Sequence, residues 1–213
     1  MLSLHRIQKQ FTTGDHEKLL DGVLANGLRL PLPLRVRLSQ GPAAAIALGL
    51  RRVVELTYGP TPLSRAMTDA LLACQTDTGA FTADDQPDPL VTAAAVAAMS
   101  LVRADHPAAV TPALEAAHER ALVALAQMQG ADGLFHAGDD RSDADRARTA
   151  AFVLRLLAAD AAFRQSVRLA DLCNWFESRL PRLEPATADL YRLACLTQPA
   201  DPPQTPAVAA LAA

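Results

Sequence analysis

Aromatic side chains are scarce in this chain: one Trp, two Tyr and six Phe make up 4% of 213 residues. A β-sheet core draws on aromatic and β-branched residues, so this composition argues against a β-rich fold. Cysteine is nearly as rare. Cys74, Cys173 and Cys195 are odd in number and far apart in sequence, which argues against a disulfide framework and for a reducing compartment. No run approaches the roughly 18 apolar residues a membrane span needs. Met1 to Phe11 mixes His5, Arg6, Gln8 and Lys9 with apolar residues and has no signal-peptide core. Neither sign of charge dominates. A net charge of −3 and a pI near 5.9 offer no global field for nucleic acid or an acidic membrane. Arg35, Arg37, Arg51 and Arg52 gather locally and read as a solvated face. The five histidines show no metal spacing, and there is no Gly-x-Ser-x-Gly elbow, phosphate-cradling glycine loop or Cys-x-x-Cys pair. The expectation is a cytoplasmic bacterial protein of one repeat domain, residues 1–197, followed by a mobile Pro-rich tail, 198–213.

What the chain has in quantity is alanine, the residue best suited to close-packed helices. The predicted fold class is all-α. Thr61-Pro62 and Thr111-Pro112 each set a capping hydroxyl before a proline at the first helical position. Helical spacing of apolar residues then predicts helices over Leu63–Gln75 and Ala113–Gln129. Each closes with the same signature: Leu71-x3-Gln75-x3-Gly79-x-Phe81, and Leu125-x3-Gln129-x3-Gly133-x-Phe135. The glycine supplies positive φ, the phenylalanine can fold back, and the glutamine offers an amide to freed carbonyls. Second helices follow, over Leu90–Val102 and Asp143–Ala159. The unit recurs 54 residues on, as stacked helical hairpins do. Weaker copies flank the pair: Asp15–Ala25 with Pro42–Thr57, and Arg164–Arg179 with Ala186–Leu196.

The repeated signature resembles the repeat motif of the squalene–hopene cyclase and protein prenyltransferase superfamily. That resemblance covers residues 61 to 160. It implies an α/α toroid, a ring of inner and outer helices braced by the glutamine and aromatic side chains. The chain has room for about four hairpins at its 54-residue spacing, fewer than a full ring. The array is therefore expected as an open arc, a shortened ring, or a homodimer whose halves face one another. Other toroids include lyases, glycosidases and non-catalytic binding proteins, so the fold leaves activity open.

The sharpest candidate chemistry lies in two acidic loops at equivalent repeat positions, Asp84-Asp85-x-x-Asp88 and Asp139-Asp140-x-x-Asp143. Both match the Asp-Asp-x-x-Asp spelling with which class I terpene synthases hold magnesium and a diphosphate. Carboxylates are the hard oxygen ligands magnesium prefers, and Arg141, Arg146 and Arg148 stand near enough in sequence to clamp phosphate. The competing reading gives Asp88 and Asp143 to the following helix starts, where the dipole favours negative charge. Recurrence along with the repeat favours that structural duty. Asp143-Ala144-Asp145 is a fragment of the cyclase Asp-x-Asp-Asp acid. Asp171-Leu172-Cys173 begins a prenyltransferase zinc site that no later histidine completes. His136 beside the second loop reads as a surface residue, and Trp175-Phe176 as core.

Two functions are carried forward. The favoured one is a non-catalytic binding module that takes a small apolar molecule or a protein partner on its inner-helix surface or loop face. The alternative is a terpenoid cyclase or prenyltransferase-like enzyme acting on a prenyl diphosphate through magnesium at the two acidic loops.

Overall fold

The computed structural model describes residues 37, 38, 40–136 and 142–197. The N-terminal half of the first hairpin, Asp15–Ala25, the tail 198–213, and Asp139, Asp140 and Arg141 all lie outside the described residues. Within them the chain is all-α apart from one short ribbon. The helices are α1 (Pro42–Glu55), α2 (Pro62–Leu72), α3 (Pro89–Asp105), α4 (Pro112–Gln127), α5 (Asp143–Leu157), α6 (Ala161–Ser166), α7 (Leu169–Arg179) and α8 (Pro185–Thr197). Single 3-10 turns occupy Pro107–Ala109 and Leu180–Arg182. No described helix is long and apolar enough to cross a membrane.

Helix starts follow the local chemistry. At α2 the Thr61 side chain accepts from the Ser64 N–H while the Ser64 hydroxyl accepts from the Thr61 N–H, a reciprocal capping box ahead of Pro62. Thr111 caps α4 in the same position by accepting from Leu114 N–H. Asp88 caps α3 through one carboxylate oxygen, 2.8 Å from Leu90 N and 3.2 Å from Val91 N. The fourth hairpin departs from expectation, because Arg164–Arg179 is not one helix but the pair α6 and α7. Asp160 caps α6, and the backbone turns extended at Val167. There the N–H of Arg168 is taken by the Gln129 side chain rather than by a helical carbonyl.

The helices form two layers. α3 packs against α1 and α5, and α5 against α8, so α1, α3, α5 and α8 make one row. α2 lies on α1 and α4 lies on α3 as a second row, with α4 also meeting α6. The first row holds most of the alanines that lie in the described helices. Twelve of the 17 residues of α3 are buried, among them Ala93, Ala94, Ala95, Ala97 and Ala98. A helix that is apolar all round sits in the interior. Its alanine surface lets α1 and α5 approach on either side, while Phe81, Phe135, Phe152, Phe163 and Phe176 fill the larger gaps. Burying one such phenylalanine contributes about 1.5–3 kcal/mol.

Candidate functional site

The repeated signature works between units. Gln75 Nε2 donates to Gly79 O at 2.9 Å and to Ala117 O on α4 at 2.8 Å, while its Oε1 accepts from Arg120. Gln129 Nε2 donates to Gly133 O at 2.7 Å and to Arg168 O at 3.2 Å, and its Oε1 accepts from Arg168 N–H at 2.7 Å. Each glutamine therefore ties its own turn to the backbone of the next unit. Gly79 and Gly133 both have φ of 84°, where a Cβ would stand 2.6 Å from Arg120 O and from Leu172 N respectively. These glycines allow the turn to rest directly on the following helix. Leu71, Leu125, Phe81 and Phe135 are all buried behind them.

The acidic loops are less alike than their spelling. Thr82–Ala83 pairs antiparallel with Gln86–Pro87, with Ala83 opposite Gln86. Asp84 and Asp85 are the two residues of the turn, at φ 47° and 59°. Positive φ at both central residues is the pattern of a tight type I′ hairpin, in which Asp is among the tolerated residues. Both side chains are exposed. Asp88 turns the other way, buried at 2% exposure, with Arg37 bonding one oxygen at 2.5 Å and the other capping α3. The same guanidinium donates to Thr149 Oγ1 on α5 at 2.5 Å, so Arg37 ties α3 to α5. In the second unit Ser142, not Asp143, caps α5 by accepting from Asp145 N–H. Asp143 is exposed and paired with Arg146 at 3.1 Å. Among the described residues no group of three or more His, Cys, Asp or Glu is placed to hold a metal ion.

A polar cluster absent from the sequence reading lies at the opposite end of α3. Ser100 Oγ is 2.8 Å from His118 Nε2 and 2.5 Å from Asp160 Oδ2. Arg103 Nη1 lies 3.4 Å from His118 Nδ1. The Ser100 hydroxyl has one hydrogen and gives it to Asp160 Oδ2, so a neutral imidazole meets Ser100 with an Nε2–H. That proton goes to Ser100 Oγ, whose own hydrogen goes to Asp160. A serine nucleophile needs the imidazole to receive its proton, and here the imidazole gives one. The trio is a relay joining α3, α4 and the start of α6. Burial and the Arg103 charge together hold the His118 pKa below its ordinary value, against the opposing pull of Asp160, Glu115 and Glu119. His118 stands four residues after Leu114 and three before Ala121, both buried. That spacing on the apolar stripe was the one signal in the sequence for it.

Beside this relay opens a groove of about 550 Å³, walled by Ala97, Leu101 and Ala104 of α3 and by Leu156 and Leu157 of α5, with Arg51 of α1 also on its edge. Ser100, Arg103 and Asp160 reach it too. The C-terminal ends of α1, α3 and α5 therefore meet here. Asp88 starts α3, and Ser100 is twelve residues further on, which at 1.5 Å per residue puts them roughly 18 Å apart. The groove and the first acidic loop are at opposite ends of the row. A smaller recess of about 260 Å³ borders Asp143, between Trp175, Arg179, Arg182 and Thr187. Arg179 sits 4.7 Å over the Trp175 ring. Comparison of the chain with family models, with curated proteins and with solved structures returns no match.

Proposed function

We propose that this chain is a non-catalytic binding module that holds an apolar small molecule at the ends of its first-row helices. One observation carries the reading: the 550 Å³ groove is apolar on its walls, and the Ser100–His118–Asp160 relay at its edge commits the serine hydrogen to Asp160 rather than to the imidazole. Its size suits a small ligand, and concave apolar sites with a few polar groups are where such ligands bind. The toroid-like character of the array belongs to the same proposal. Its support is that two successive turns are tied to the next unit by the same glutamine and glycine contacts.

A neutral solvatochromic dye tests the reading. Fluorescence should rise and shift to the blue on titration with the chain. Ala104→Trp fills the mouth from an exposed position and should abolish the signal without loss of helicity. Equal binding by wild type and variant would reject the groove as the site.

The diphosphate alternative retains one supporting observation, the recess between Asp143 and Arg179 with Arg182. Against it, Asp84 and Asp85 serve as turn residues and Asp88 is engaged by Arg37 and the α3 cap. Calorimetry with magnesium and a prenyl diphosphate separates the two. The binding-module reading expects no magnesium-dependent heat, whereas saturable binding lost in Asp143→Ala would favour the enzyme.

A further inference from the structure

The charged side chains around the groove are unequal in number and in how fully they are used. Two are cationic, Arg51 and Arg103, and one is anionic, Asp160. Both Asp160 oxygens already accept, Oδ1 from Phe163 N–H at 2.9 Å and Oδ2 from Ser100. Ser100 accepts from His118 and donates to Asp160, so its one donor is taken as well. The arginines are less fully used. Arg51 uses Nε on Glu55 at 3.0 Å, in a pair about one-third exposed on each side. Arg103 faces Glu115 through Nε at 2.9 Å and His118 through Nη1. A guanidinium has five N–H donors in a planar fork suited to carboxylates. Among the described residues, no hydrogen bond takes the terminal nitrogens of Arg51 or the Nη2 of Arg103.

We infer that the occupant is an amphiphile with an aliphatic body and a carboxylate head, the body lying along Ala97, Leu101 and Leu156 and the head meeting Arg51 and Arg103. The inference rests on the binding reading above and adds the head group. An amine head would meet the two guanidinium groups that line the groove and find Asp160, Glu55 and Glu115 already engaged. A neutral head would gain the apolar burial but leave the guanidinium donors to water. Charge-assisted hydrogen bonds are roughly twice as strong as neutral ones, so the head group should be visible in affinity.

Calorimetric titration of the full chain with octanoate, octanol and octyltrimethylammonium tests this with one chain length and three heads. Octanoate is expected to bind at least about tenfold more tightly than octanol, a ratio that corresponds to a single charge-assisted contact. The quaternary amine should bind weakest. Arg51→Gln, a change at a half-exposed position, should remove most of the octanoate advantage and leave octanol affinity unaltered. Equal affinity for octanoate and octanol, or tightest binding of the amine, would overturn the head-group assignment while leaving the groove standing. Binding of none of the three would reject the groove itself.

Discussion

Gln75 and Gln129 have the same spelling around them but different surroundings. Gln129 is 8% exposed and makes three side-chain hydrogen bonds, one of them from the Arg168 N–H that no helix carbonyl serves. Gln75 is half-buried. Removing a partner from a buried polar group costs about 1–3 kcal/mol, more than a typical exposed bond is worth. Gln129→Ala should therefore lower stability by about 2–3 kcal/mol and Gln75→Ala by about 1 kcal/mol, read from the midpoints of urea unfolding. Equal losses would mean that the turn, and not the inter-unit tie, sets the energy. The sequence showed these residues plainly, because Gln, Gly and Phe are a local pattern closing one helix. It did not show Ala117, Arg120 or Arg168, since the partners sit in the next unit and no spacing rule reaches them. Asp88 and Asp143 illustrate the same boundary. A place at a helix start was legible for both: Asp88 caps α3, while Asp143 opens α5 as its first residue behind the Ser142 cap.

At the scale of elements, the acidic loop of the first unit divides into a ribbon tip and a buried cap, and the two halves predict opposite mutational effects. Asp85 at φ 59° is a position where glycine is at home. Asp85→Gly should leave thermal stability unchanged or raise it by up to about 1 kcal/mol. Asp88→Ala strips the α3 cap and leaves the Arg37 guanidinium buried without its carboxylate. Such a change costs about 3–5 kcal/mol. A magnesium site would instead make both variants lose metal-dependent stabilisation together. The helices themselves were legible from Thr-Pro starts and 3.6-residue apolar spacing. The ribbon Thr82–Pro87 was not, since its strands are two residues long and one contains proline. The split between α6 and α7 was equally hidden. No proline or glycine marks Val167–Arg168, and the break is made by a glutamine almost forty residues away.

At the scale of the whole molecule, the two rows of helices put the relay and groove at one end and the Arg37–Asp88–Thr149 tie toward the other. Ser100, His118 and Asp160 come from three elements, so only the assembled fold brings them together. Their titration offers a global readout. His118 has a folded pKa below its ordinary 6.5, with burial the main cause and Arg103 next. The unfolded chain takes up that proton more readily, so the stability His118 allows is intact above about pH 6.5 and declines as pH falls below it. The melting temperature should drop between pH 7.5 and pH 5.5, and His118→Gln should flatten that part of the profile. An unchanged slope in the variant would place the acid sensitivity elsewhere.

The claim that the groove is the working site is tested most directly by hydrogen exchange on the intact chain, with and without a saturating neutral dye. Binding at the groove predicts added protection confined to the C-terminal turns of α3 and α5 and to Ala159–Ala162, with residues 82–88 unchanged. Protection concentrated instead at 82–88 and 142–148 would contradict it and return the function to the acidic loops.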